Sequence, residues 1–223
     1  TSLTPVALAA NMTVNGILTF SNNAVFNIGT YNLRLNALAT IANYGTNRYI
    51  QTAGNAGDGG LTRFFSSTTA LVFPVGAPTI NPSRSSKYTP ATIGFSSAPA
   101  TYGSVTVIPV GYENANTTTK GQSLTYYWRV KSSGFSGIPL YSVTHSFVYG
   151  EPDVAGTETN YVPSLYDEVA HLWYYGSTSS INTTSNTISD WTAPTNSSNF
   201  LDADYTAGLP SGFGTPRIFY SRR

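Results

Sequence analysis

The chain is predicted to be all-β: an N-terminal β-layer of short strands, or a β-solenoid-like segment, followed by an antiparallel β-sandwich, with very little helix. Three observations lead there. Short apolar stretches return at close spacing between Asn and Gly residues. Later segments alternate apolar and polar side chains, as a half-buried strand does. No window of helical length carries apolar residues at a 3.6-residue period without Gly, Pro or β-branched interruptions.

From Met12 to Thr52 the stretches are Ile17-Leu18-Thr19-Phe20, Val25-Phe26-Asn27-Ile28, Leu33-Arg34-Leu35, Thr40-Ile41-Ala42 and Tyr49-Ile50-Gln51. Leu18, Phe26, Leu33, Ile41 and Ile50 lie seven to nine residues apart. That spacing suits small strands joined by tight turns, in a meander or in rungs of a short solenoid. No Asp or Glu precedes Asp58, so the polar face of this layer is built from Asn, Thr and Ser and can stack on another domain. Asn55-Ala56-Gly57-Asp58-Gly59-Gly60 is the clearest break, because Gly tolerates the positive φ of tight turns. Domains are accordingly expected at 1–57 and 58–223. A phosphate-binding loop is disfavoured here, since neither the Lys-Ser/Thr nor the helix it needs comes next.

Further strands are expected at 70–75, 91–95, 104–110, 124–131, 141–149, 169–175 and 187–191, a number that suits a sandwich. In the segment from Tyr141 to Tyr149 the residues Tyr141, Val143, His145, Phe147 and Tyr149 fall on one face, with mostly Ser and Thr on the other.

Composition narrows the function. Eleven Lys and Arg and ten Asp and Glu make only 9% of the 223 residues charged, against a usual fraction of about a quarter. Two His and no Cys leave few catalytic groups, and thiolate, disulfide and zinc-thiolate chemistry are excluded. A net charge of +1 supplies no basic surface, so nucleic acid is not an expected partner. No apolar run approaches the roughly 20 residues that span a bilayer, so no membrane insertion is expected, and the opening Thr1-Ser2-Leu3-Thr4-Pro5 lacks signal-peptide character. The chain reads as a soluble mature product or an excerpt of something longer.

Several short motifs together carry a resemblance. Gly16-Ile17-Leu18-Thr19-Phe20, Tyr31-Asn32-Leu33-Arg34-Leu35, Tyr49-Ile50-Gln51-Thr52-Ala53-Gly54, Gly60-Leu61-Thr62-Arg63-Phe64, Phe73-Pro74-Val75-Gly76, Tyr88-Thr89-Pro90-Ala91, Tyr126-Tyr127-Trp128-Arg129-Val130 and Asp204-Tyr205-Thr206-Ala207-Gly208 follow one another in order. The series resembles the repeated β-modules of large secreted cell-surface, adhesin-like proteins of Bacteroidota, the group that includes gliding bacteria. The resemblance implies an extracellular structural or adhesive segment at a bacterial surface.

Candidate sites follow from side-chain chemistry. The clusters Tyr126-Tyr127-Trp128 and Trp173-Tyr174-Tyr175 suggest a carbohydrate-binding surface, with Tyr127, Trp173 and Tyr175 as stacking rings; packing between sheets is the competing use of such rings. Late carboxylates, chiefly Asp153, Glu158, Asp202 and Asp204, could supply oxygen ligands to calcium, although no EF-hand or calcium-repeat motif is present and solvated loop charges are the plainer reading. Two of the late carboxylates facing each other across a groove would suit glycoside cleavage. His145 is expected in the core or its rim, and so is His171, beside Trp173 and Tyr175 on one strand face. Two isolated His make neither a metal site nor a triad, and no Gly-x-Ser-x-Gly elbow occurs. Val6 and Leu8 in the apolar opening, and Ile218, Phe219 and Tyr220 near the end, are candidate assembly segments able to pair with a neighbouring copy. The expected function is therefore non-enzymatic: an adhesin spacer or filament-building module without cofactor, calcium aside, whose partners are neighbouring copies or modules and surface glycans. Binding of carbohydrate is the alternative.

Overall fold

The computed structural model describes residues 7–78, 87–189 and 201–214. The chain begins by coiling. The first coil holds β1 (Met12–Val14) and β2 (Ile17–Thr19), and the second holds β3 (Phe26–Gly29), β4 (Asn32–Leu35) and β5 (Thr40–Ala42). The third holds β6 (Ile50–Thr52), β7 (Gly60–Phe64) and β8 (Leu71–Phe73), and β9 (Val75–Ala77) opens a fourth. Successive coils stack in parallel on three faces: β1 on β4 on β7, β2 on β5, and β3 on β6 on β9, with Ala7 bridged to Asn27 ahead of β3. This is a short β-solenoid, with about two dozen residues per coil as solenoid repeats have. The spacing of seven to nine residues seen in the sequence is one side of the triangle.

Inside the coils Ile28, Leu33, Leu35, Ile50 and Leu61 are fully buried. Outside, asparagines register the stack. Asn11 Oδ1 accepts from Asn32 N at 2.8 Å, and Asn32 Nδ2 donates onward to Gly59 O at 2.7 Å and Thr62 Oγ1 at 2.8 Å. At the other end of the same strands Asn36 Nδ2 donates to Asn15 Oδ1. The Gly59-Gly60 pair is required by close approach. A Cβ on Gly59 would lie 2.4 Å from Asn32 N, and Gly60, at φ 69°, would place one 2.6 Å from Val107 O.

The expected boundary near residue 57 falls between β6 and β7, and hydrogen-bonded sheets cross it. Beyond β9 come β10 (Lys87–Tyr88), β11 (Ala91–Phe95), β12 (Ser104–Val110), β13 (Tyr127–Ser133), β14 (Val143–Val148), β15 (Val162–Asp167), β16 (Leu172–Tyr175), β17 (Ile181–Asn182), β18 (Thr187–Ser189) and β19 (Ala203–Gly208). One eight-stranded sheet runs β1-β4-β7-β12-β13-β19-β15-β16, parallel up to β7 and antiparallel after it. A five-stranded antiparallel sheet, β17-β18-β14-β11-β8, packs on its inner face through Trp128 against Phe147 (4.8 Å between ring centroids) and Phe147 against Tyr205 (5.0 Å). Helix is confined to four short 3₁₀ turns among the described residues.

Strands expected at 91–95 and 104–110 occur with those bounds. Pro74 divides the expected strand 70–75 into β8 and β9, which join different sheets. Tyr141 stands at φ 60° ahead of β14, so the alternating face starts at Val143. Only 172–175 of the expected strand 169–175 is extended, because 168–171 make the turn from β15. Of 187–191, the stretch 187–189 is strand and the rest lies outside the described residues.

Asn32→Asp should destabilise the chain by about 1–3 kcal/mol, because it replaces a donor with an acceptor facing two carbonyl oxygens and the Thr62 hydroxyl. Chemical denaturation of both proteins checks it, and an unchanged midpoint would show that the asparagine ladder does not hold the coils.

Candidate functional site

The outer face of the eight-stranded sheet gathers more of the candidate residues than any other surface. Period-two alternation turns Tyr127 and Arg129 outward from β13 while Trp128 and Val130 turn into the core. Register then places Arg129 opposite Asp204 on β19, Asp204 opposite Tyr166 on β15, and Tyr166 opposite Trp173 on β16. Two apolar patches result, Ile108, Val110 and Tyr127 at one side and Val162, Tyr166, Trp173 and Phe213 at the other, with an ion pair between them.

That pair is closed on itself. Arg129 Nε donates to Asp204 Oδ1 at 2.8 Å and its Nη2 to Asp204 Oδ2 at 2.9 Å; Nη2 also meets Glu168. Asn114 Nδ2 adds a bond to Asp204 Oδ2 at 2.9 Å. The carboxylate is 1% exposed. These bonds hold the guanidinium still more firmly protonated than usual, with the Asp204 hydrogen bonds as the main cause.

A strap formed by 111–123 covers this face. Tyr112 packs edge-on against Tyr127, Asn116 O accepts from Trp173 Nε1 at 2.9 Å, and Thr118 N donates to Gly212 O, which fixes the Pro210–Phe213 turn over Trp173. The strap is stiffened from within. Lys120 Nζ donates to Asn114 O and Thr117 Oγ1, both at 2.7 Å, while Glu113 accepts from Gly121 N and from Ser123 Oγ.

This geometry decides what the expected residues can do. Tyr127 and Trp173 are 3% and 7% exposed, so their ring faces are occupied by Tyr112, Tyr166 and Phe213 and offer no stacking surface to a sugar. Tyr175 is half-buried at the edge of the Trp173 cluster. Asp153 is buried and accepts from Thr125 Oγ1 at 3.1 Å; Glu158 accepts from the Tyr149 hydroxyl. Asp202 accepts from Ser132, and Asp204 belongs to Arg129. The four carboxylates expected as calcium ligands thus serve separate local contacts. Among the described residues no three His, Cys, Asp or Glu side chains gather as a metal site. Leu8 is hydrogen-bonded through its N–H to Asn27 O within its own solenoid, while Val6, Ile218, Phe219 and Tyr220 lie outside the described residues.

His145 does sit in the core, with Nε2 3.1 Å from the Tyr205 hydroxyl. His171 does not pack beside Trp173. It is exposed, at φ 54° in the β15–β16 turn, with Nδ1 3.3 Å from the Tyr166 hydroxyl. Sequence reasoning missed Asn114, Lys120 and Glu113; the only signal was the polar run Glu113 to Gly121 after a strand.

Burial keeps several phenols neutral. Tyr161 and Tyr88 are each pushed up to about 12, and the fully buried Tyr126 and Tyr205 are also raised, with desolvation the leading cause throughout.

No family model, curated protein or solved structure was found to match the chain.

Arg129→Met leaves Asp204 buried and unpaired and should cost about 3–5 kcal/mol, with Asp204→Asn in the same chain recovering most of it. A double-mutant cycle of denaturation free energies measures the coupling, and additive losses would refute the pairing. The phenols, neutral in the fold, contribute stability that is complete below the ordinary phenol value of 10.0 and lost as pH rises from there to about 12. Denaturation midpoints across that window should fall, whereas a flat profile would contradict their burial.

Proposed function

We propose that the chain is a non-enzymatic structural module, a spacer or assembly unit whose task is to hold shape and transmit force between neighbours. The observation that carries this reading is the single hydrogen-bonded sheet of eight strands that begins in the first solenoid coil and ends in the sandwich. Pulling on one part loads the other through that ladder of backbone bonds. One contiguous hydrophobic cluster supports it, extending from Ile28 and Leu33 in the coils to Trp128, Phe147 and Tyr205 in the sandwich.

The charged groups point the same way. Arg129, Lys120, Glu113 and Asp153 each bind another part of the same chain. The setting at an extracellular bacterial surface, in an adhesin-like or filament-building protein, rests on the resemblance of the sequence motifs and is part of the same proposal.

A rigid unit of this kind should unfold as one. Leu33→Ala in the coils should cost about 2–5 kcal/mol and lower the midpoint of one shared transition, seen equally by solenoid and sandwich probes. Separate transitions for the two parts would sink the force-transmitting reading. A glycan array provides the opposing test: sugar binding abolished by Tyr175→Ala would move the assignment to a carbohydrate-binding module.

A further inference from the structure

We propose that β1 is a self-complementary edge through which two copies of the chain join, Thr13 against Thr13, into one continuous sheet. The inference builds on the module reading by naming the surface at which copies meet.

Among the described residues β1 is hydrogen-bonded to one strand only, β4, and ends the eight-stranded sheet. The orientation of its backbone groups follows from one bond. Asn36 N donates to Val14 O at 3.1 Å, so the polar groups of Val14 face β4, and those of Thr13, the next residue back, face away. Asn11 and Asn15 share the outward parity of Thr13. Met12 and Thr13 are both exposed, as is Ile17, at 70%, just beyond the turn.

What the edge can accept is a strand, since its free groups are a row of amide N–H and C=O. Its sequence, Asn11-Met12-Thr13-Val14-Asn15, selects the strand. Read about Thr13 it is a palindrome in kind: Thr at the centre, an apolar residue on each side, and Asn at each end. A two-fold axis through Thr13 therefore sets Asn11 against the partner's Asn15, Met12 against Val14, and Thr13 against itself, as an isologous contact requires. In that antiparallel pairing the two Thr13 residues exchange both backbone hydrogen bonds. Thr opposite Thr is a favourable cross-strand pair. Across its other edge β1 already makes asparagine contacts, because β4 stacks on it with Asn32 on Asn11 and Asn36 on Asn15.

Charge fits a second copy too. Facing copies place like charges near one another, and no charged residue precedes Arg34. The devices that usually protect a free edge, Lys, Pro or a bulge, are missing from the stretch 11–15. On the face that carries β1 the far end of the solenoid is β7, and its outer edge is closed by β12, so β1 has no vacant head-to-tail acceptor on that face. The contact must be head to head.

Sedimentation of the full chain over a concentration series tests it. The wild type should pass from monomer to dimer and stop there. Thr13→Pro removes an N–H that β4 does not use and should abolish the dimer while the melting curve is kept. Thr13→Lys should raise the dissociation constant about tenfold or more, and an equimolar mixture with Thr13→Glu should restore a dimer. A wild type monomeric throughout, or a dimer untouched by both Thr13→Pro and Thr13→Lys, would overturn the proposal. Neither result would disturb the single unfolding transition on which the module reading depends.

Discussion

Every strand that enters a sheet satisfies one edge and bares another, and this fold is organised by how the bared edges are closed. A parallel coil has no intrinsic stop, because its last strand offers the same row of groups as its first. Here the stop is a reversal of strand direction. β7 passes from its parallel neighbour β4 to the antiparallel β12, and β9 passes from β6 to β10. β8 leaves the stack and pairs with β11. The sandwich is thus the cap of the solenoid as well as the second half of the chain, and the two share one core as a geometric consequence.

The scarcity of charge is coupled to that architecture. A sheet of eight strands with a second sheet on one face and a strap on the other leaves little wet surface near its centre. Ions placed there need partners, and Asp204 obtains three bonds from Arg129 and Asn114. Lys120 does the converse for the strap, giving its ammonium to a carbonyl and a hydroxyl and so tying a polar loop into one shape. Neutral amides take the same part in the coils, where Asn11, Asn32, Asn15 and Asn36 register neighbouring strands without an ion to desolvate.

The short strands of the solenoid were legible because an apolar residue returns on each side of the triangle, at Leu18, Phe26, Leu33, Ile41 and Ile50, whereas the choice between a meander and a coil rests on pairing that local spacing does not carry. Clean strands such as β11 and β12 were legible for the same local reason. β15 and β19 were not, although they are interior strands of the large sheet. Pro163 interrupts the first, and the second reads Ala-Asp-Tyr-Thr-Ala-Gly, with an acid and three small residues where an interior strand is expected to be bulky and apolar. Asp204 is tolerated because Arg129 lies directly across from it, a partner 75 residues away in sequence. No local pattern carries that information.

The outer-face residues show why site prediction went less far than fold prediction. Alternation puts Tyr127 with Arg129 and Trp173 with Tyr175, and the register of the sheet brings the two pairs to one side. Whether that side is wet depends on what lies over it. The cover is 111–123, a stretch rich in Asn, Thr and Gly that reads as an ordinary solvated loop, and its grip comes from backbone acceptors such as Asn116 O and from Lys120, neither of which has a sequence signature. A face that alternation marks as available for recognition is closed by a loop whose own composition advertises exposure. On that face the freedom to bind was decided by the strap, which lies against the rings that alternation turns outward.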